Sequence, residues 1–126
     1  RGASIEVRVN AEDPALDFRP SAGRLKEFRM PAGPGIRIDT HCESGMMVPP
    51  NYDSLMAKLC VWASDRPRAV ARLQRALDEA NVEGVPTTIG LFRDIVREST
   101  FGEGKYTTAY LTDRVAFLPT LGGGAT

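Results

Sequence analysis

The 126 residues suffice for one domain, and Lys+Arg and Asp+Glu balance at 16 each. A chain of this mass buries roughly two thirds of its extended surface, so an ordinary apolar core forms without staples. Zero formal net charge argues against a nucleic-acid or anionic-membrane partner held mainly by charge.

Cys42 and Cys60 are the two cysteines; they make neither a disulfide framework nor a metal-ligand set and read as reduced thiols. No apolar run approaches the ~20 residues of a membrane span, and no secretory signal is visible, which leads us to expect a cytoplasmic setting. The chain opens on Arg1-Gly2 with no initiator methionine, and we read it as an excised fragment.

Residues 5–10 (IEVRVN) alternate apolar and polar, predicting a strand with Ile5, Val7 and Val9 inward. Residues 11–23 carry two prolines and several acids and read as a loop. A second strand is expected over 24–30, weakened where Lys26-Glu27 breaks the alternation. Pro34-Gly35 signals a turn, and the third strand, 36–40, sets Arg37 and Asp39 on one face and Ile36 and Ile38 on the other. Residues 41–50 read as a loop, and Pro49-Pro50 forces an extended entry into Asn51-Tyr52-Asp53.

The apolar run 55–63 (LMAKLCVWA) reads as a buried strand, with a helix as the open alternative, because a run this short has no decisive period. Its single charge, Lys58, needs a carboxylate or carbonyl if buried, and Asp53 is a candidate. Asp65 is a helix N-cap with Pro67 in the first turn. Ala69, Val70, Leu73, Ala76, Leu77 and Ala80 then recur at helical spacing. Arg68, Arg72 and Arg75 form the solvated face of this helix, offset by Asp78 and Glu79. After a connector over 81–86, Thr87 or Thr88 caps a second helix reaching Glu98, with Ile89, Phe92, Ile95 and Val96 on its apolar face. A last ordered piece is expected over 106–111, and residues 113–126 read as a tail that is partly disordered. Strands first and helices afterwards give an α+β class: an antiparallel sheet from the N-terminal half packed with helices from the C-terminal half.

The catalytic inventory is sparse. His41 is the single histidine and has no second imidazole or cysteine at metal-ligand spacing; it reads as a loop hydrogen-bonder rather than a base. No glycine-rich loop leads into a helix in the phosphate-cradling pattern, and no nucleophile elbow occurs. From the pattern alone Arg37 has two readings: an exposed ion pair with Asp39 on a wet sheet face, or a planar cation held still between rigid segments to serve a site.

Several ordered motifs resemble one family. IEVRVNAEDP at 5–14, FRPSAG at 18–23, GIRID at 35–39 and VPPNYDSLMAK at 48–58 are similar to the C-terminal domain of biotin carboxylase, as found in the acyl-CoA carboxylases. The resemblance continues through the helix over 66–77, GVPTT at 84–88 and the piece over 106–111, so that residues 1–112 form the domain. The family usually has His-Ala where this chain has Ala3-Ser4, asparagine at Thr88, and often glycine at Ala109.

The resemblance implies an ATP-dependent ligase that uses bicarbonate to carboxylate biotin on a carrier protein. It implies nucleotide and Mg²⁺ or Mn²⁺ sites mostly in an upstream ATP-grasp region, so the fragment alone is expected to be inactive. Arg37 matches the arginine beside bicarbonate and the biotin ureido oxygen. Asp39 is implied as its orienting neighbour, Thr108 as proximal to the nucleotide, and Tyr52, Asp53 and Lys58 as structural supports. Implied partners are the N-terminal and ATP-grasp domains of the same protein, biotin carboxyl carrier protein, a carboxyltransferase and a second copy in a homodimer. The setting it suggests is acetyl- or propionyl-CoA carboxylase and fatty acid biosynthesis. Pyruvate or methylcrotonyl-CoA carboxylase, urea amidolyase and a non-catalytic dimerisation module are the alternatives.

Overall fold

A computed structural model describes residues 2–50 and 53–98 and the backbone of 115–118. The long strands form where the sequence alternates. β1 (Ala3–Asn10) carries Ile5, Val7 and Val9 fully buried on one face. β8 (Leu55–Ala63) likewise buries Leu59, Val61 and Ala63, which decides the 55–63 run in favour of strand. Between them in the chain lie β2 (Glu12–Asp13), a 3-10 turn (Pro14–Leu16), β3 (Arg19–Pro20), β4 (Gly23–Arg24), β5 (Glu27–Arg29), β6 (Ile36–Thr40) and β7 (Met47–Val48). After β8 come α1 (Arg66–Glu79), β9 (Asn81–Glu83), α2 (Ile89–Ile95) and β10 (Val115–Leu118).

Among the described residues the largest sheet has the order β10-β1-β8-β6, antiparallel throughout. One face is covered by α1 and α2. Ile5, Val7, Leu59 and Val61 pack there against Ala69, Val70, Leu73 and Leu77 of α1 and Phe92 and Ile95 of α2. The expected α+β class is what the structure has. β10 extends the sheet on the far side of β1, within the stretch that the sequence reading assigned to a tail.

α1 forms as its sequence predicts. Asp65 sits in extended backbone, its Oδ1 accepting the Arg68 N–H at 2.9 Å, and Pro67 occupies the first turn, where its missing N–H costs nothing. Arg93 of α2 donates Nε to Leu77 O at 2.8 Å and Nη2 to Ala80 O at 2.5 Å, satisfying carbonyls that the end of α1 leaves open. Arg97 grips Asp78 with two 2.9 Å bonds.

The structure corrects four expectations. The single strand over 24–30 is two short pieces with different partners: β4 pairs with β7, and β5 with β9. The break falls at Leu25, fully buried in a second cluster with Ala11, Met56 and Val85, so the chain turns there to deliver its side chain. β7 and β9 lie in stretches read as loop and connector, because strands of two or three residues leave no period to see. Lys58 is not buried in the core: β8 alternates, and Lys58 stands on the face opposite Leu59, half-buried. Finally, α2 stops at Ile95 rather than Glu98, its exit tightened by Arg97 N–H to Asp94 O at 3.3 Å and Glu98 N–H to Ile95 O at 3.0 Å.

Thr88 occupies the cap position of α2, but its hydroxyl is engaged elsewhere. The β1–β8 register shifts between Val9 and Asn10. Beyond this irregularity, Asn10 donates its N–H to Thr88 Oγ1 at 3.1 Å and accepts the Thr88 N–H on its carbonyl at 3.1 Å. Both residues are buried. Thr88→Val keeps the shape and deletes the acceptor, leaving the Asn10 N–H dry and unpaired. Urea unfolding should show a loss of about 1–3 kcal/mol; a midpoint unchanged from wild type would mean that water reaches Asn10.

Candidate anion-binding site on the sheet face

The face of the sheet opposite the helices is polar because period two leaves it so. In register across β6, β8 and β1, Arg37 stands opposite Cys60, which stands opposite Glu6; Asp39 stands opposite Lys58, which stands opposite Arg8. The result is two adjacent rows of ionisable side chains anchored on three strands.

Arg37 is rooted in a rigid turn. Gly35, at φ +75°, adopts a left-handed conformation that suits glycine, and Ile36 donates its N–H to Gly33 O at 3.3 Å. Two residues on, the Arg37 side chain leaves the sheet 69% exposed and donates Nε to Asp39 Oδ1 at 3.2 Å. Among the described residues neither Nη group of Arg37 makes a hydrogen bond. The Asp39 carboxylate is 50% exposed, so the pair itself contributes less than about 1 kcal/mol. Its effect is orientational: one bond to Nε fixes the plane of the guanidinium and leaves the outer N–H fork for an anion.

Cys60 is the cross-strand neighbour of Arg37 on β8. Burial pushes its thiol up to about 11, assisted by the negative charge of Glu6, by the hydrogen bond it donates to Glu6 Oε1 at 3.6 Å and by the charge of Asp39, and opposed by Arg37. At neutral pH Cys60 is therefore a neutral thiol and puts no competing anion beside Arg37. Lys58 makes no ion pair within 4 Å among the described residues and adds a second positive charge to the same face.

A cleft of about 340 Å3 opens beside Asp39 and Lys58, with Thr40, His41 and Asp53 on its walls. It adjoins a second, of about 350 Å3, lined by apolar and sulfur-bearing side chains including Cys42, Met46 and Met56. Burial also raises the Cys42 thiol, against a hydrogen bond with Thr40 that lowers it. His41 is exposed, with Nε2 3.9 Å from Cys42 Sγ. Among the described residues no group of three or more His, Cys, Asp and Glu is placed to hold a metal ion.

The structure thus brings Arg37 and Asp39 together and sets Lys58 across from Asp39. Asp53 lines the same cleft as Asp39 and Lys58, and its Oδ1 accepts the Leu55 N–H at 3.0 Å, which shapes the entry to β8. Tyr52 and Thr108 lie outside the described residues. The sequence reading passed over Cys60 and Glu6 as neighbours of Arg37; their place in its cross-strand row follows from strand register alone.

The family model for the biotin carboxylase C-terminal domain matches residues 6–113. The chain belongs to the biotin carboxylase C-terminal domain family. Biotin carboxylase from Nostoc sp. is 46% identical over 113 residues, which are 90% of this chain and 25% of that protein. A pyruvate carboxylase subunit from Methanothermobacter thermautotrophicus is 41% identical over 113 residues, 90% of this chain and 23% of that one. Among solved structures, the biotin carboxylase domain dimer of 2-oxoglutarate carboxylase from Hydrogenobacter thermophilus, in complex with MgADP, ADP and bicarbonate, superposes with a TM-score of 0.81. It is 44% identical, and the match covers 87% of this chain and 24% of that one. The chain thus spans about a quarter of the length of the relatives it matches. In this biotin carboxylase C-terminal domain, no helix among the described residues is long and apolar enough to cross a membrane.

Proposed function

We propose that this chain is the C-terminal domain of the biotin carboxylase component of an acyl-CoA carboxylase, acting on acetyl-CoA or propionyl-CoA in the cytoplasm. Its task is to present Arg37 to bicarbonate and then to the ureido oxygen of biotin. The observation that carries this reading is the oriented guanidinium, tied by Nε to Asp39 with its outer N–H groups open. A guanidinium stays protonated at any working pH, and its planar fork meets bicarbonate or an enolate-like oxygen with directed bonds. Asp39 holds that fork in plane, and Lys58 reinforces the positive potential of the face.

ATP and Mg²⁺ or Mn²⁺, which in this reading activate bicarbonate by phosphorylation, belong to the ATP-grasp region of the same protein. Biotin arrives on its carrier protein, a carboxyltransferase completes the reaction, and the whole enzyme is a homodimer. Thr108 lies toward the nucleotide in this scheme, while Tyr52 and Asp53 are structural supports.

The test uses the whole protein carrying this chain, with radiolabelled bicarbonate, Mg-ATP and free biotin, and then with carrier, carboxyltransferase and each candidate acceptor. Label should appear on biotin and pass to acetyl-CoA or propionyl-CoA. Transfer to pyruvate, 2-oxoglutarate or urea would overturn the acyl-CoA setting. No label on biotin would leave a non-catalytic dimerisation module.

A further inference from the structure

The head of Arg37 is held by Asp39; the backbone from which it springs is held from the helix side of the sheet. β6 is an edge strand among the described residues, paired through its ladder only to β8. Immediately before it, Gly35 accepts the Trp62 N–H on its carbonyl at 3.0 Å. Arg72, half-buried on α1, reaches to the same point and donates Nη1 to the carbonyl of Trp62. The fit is close: a Cβ built on Gly35 would collide with Arg72 Nη1 and stand 2.7 Å from Cζ and 2.9 Å from Trp62 O. Gly35, Trp62 and Arg72 are therefore one packed junction. It joins α1, the end of β8 and the start of β6 at a point two residues from Arg37.

We propose that Arg72 is a positioning residue for Arg37, acting through Gly35 and the Trp62 carbonyl, a role that rests on the reading of Arg37 as the anion-holding group. By helical spacing alone Arg72 is one more charge on a solvated face. In the fold it turns inward to a backbone carbonyl, whereas Arg68, four residues earlier, stays exposed and pairs with Asp65. An edge strand with one neighbour takes its local twist from that neighbour and from whatever grips its end. Loosening the grip lets the Arg37 backbone shift by a fraction of an ångström to an ångström, enough to misplace the guanidinium fork against a reacting oxygen.

The experiment is a double-mutant cycle in the whole protein, with Arg72→Met, Arg37→Ala and the two combined. Methionine keeps an apolar stem and removes the donors. Biotin carboxylation is the readout, with KM for ATP measured alongside. Arg72→Met alone should lower kcat by about tenfold with KM for ATP unchanged, and the double variant should be no slower than Arg37→Ala alone. Arg72→Lys, which keeps one donor without the fork, should recover part of the loss; it carries the same cycle if Arg72→Met does not fold.

Effects that multiply in the double variant would overturn the proposal, because Arg72 would then act independently of Arg37. A normal rate in Arg72→Met would overturn it as well. If Arg37→Ala by itself leaves carboxylation near normal, the failure is that of the Arg37 reading, and the positioning role falls with it.

Discussion

Arg37→Ala in the intact parent protein should lower biotin carboxylation by about 10²–10³-fold, the usual effect of removing one charge-stabilising donor from a preorganised site. ATP affinity and melting temperature should stay close to wild type. The basis is the geometry of the pair with Asp39: one bond at Nε, both partners exposed, and an open outer fork. Arg37→Lys should restore little, since a point charge on a flexible stem does not reproduce two directed N–H groups in a plane. A simple surface ion pair makes the opposite forecast: under about 1 kcal/mol of stability lost and no kinetic change. Steady-state kinetics and a melting curve on the same two variants separate these outcomes, and near-normal carboxylation by Arg37→Ala would return Arg37 to the surface-pair reading.

Phe92→Ala should be the most damaging change to the fold. Phe92 is fully buried where α2 meets α1 and the sheet, among Ile5, Leu59, Leu73 and Leu77 of the same cluster. Truncation removes the apolar contact and leaves a void that neighbours anchored in a sheet and a helix fill only in part, costing about 3–5 kcal/mol. Against a total stability of about 5–15 kcal/mol for a domain, that is a third or more of the margin. Urea unfolding followed by the fluorescence of Trp62, the single tryptophan of the chain, reads the shift directly. A loss under about 1 kcal/mol would mean that α2 is only loosely docked. Phe92→Leu should retain most of the stability, because it leaves a smaller void.

The long elements were legible in the sequence because each repeats a period often enough to be seen. β1 alternates over eight residues and α1 keeps its apolar stripe over fourteen, whereas the nearly continuous apolar run of β8 left a helix open until its burial pattern showed a strand. The turn at Gly35 and the placement of Arg37 and Asp39 on one strand face were legible for the same reason. What escaped depends on partners distant in sequence. The division of 24–30 into β4 and β5 is imposed by the pocket that receives Leu25 and by two different partner strands. Thr87 or Thr88 was read as the helix cap because the local sequence says so; Thr87 Oγ1 accepts the Ile89 N–H at 3.3 Å, while the amide of Asn10, 78 residues from Thr88, takes the Thr88 hydroxyl. The setting of the site shows the same limit. That Cys60 stands beside Arg37 follows from pairing register, and that Arg72 reaches Trp62 follows from how α1 lies on the sheet. Neither register nor helix placement is encoded within one segment.

The alternation of β6 and β8 has an evolutionary consequence. On each strand, neighbouring positions answer to different constraints: Ile36, Ile38, Leu59 and Val61 face the packed interior, while Arg37, Asp39, Lys58 and Cys60 face outward. A substitution at an outward position can retune charge without disturbing the interior, and an inward one can alter packing while leaving the charged rows in place. Insertion or deletion of one residue would exchange the two sets wholesale. Drift in such a chain is therefore free to proceed by replacement and closed to changes in length, with selection for chemistry and selection for folding interleaved residue by residue along the same strand.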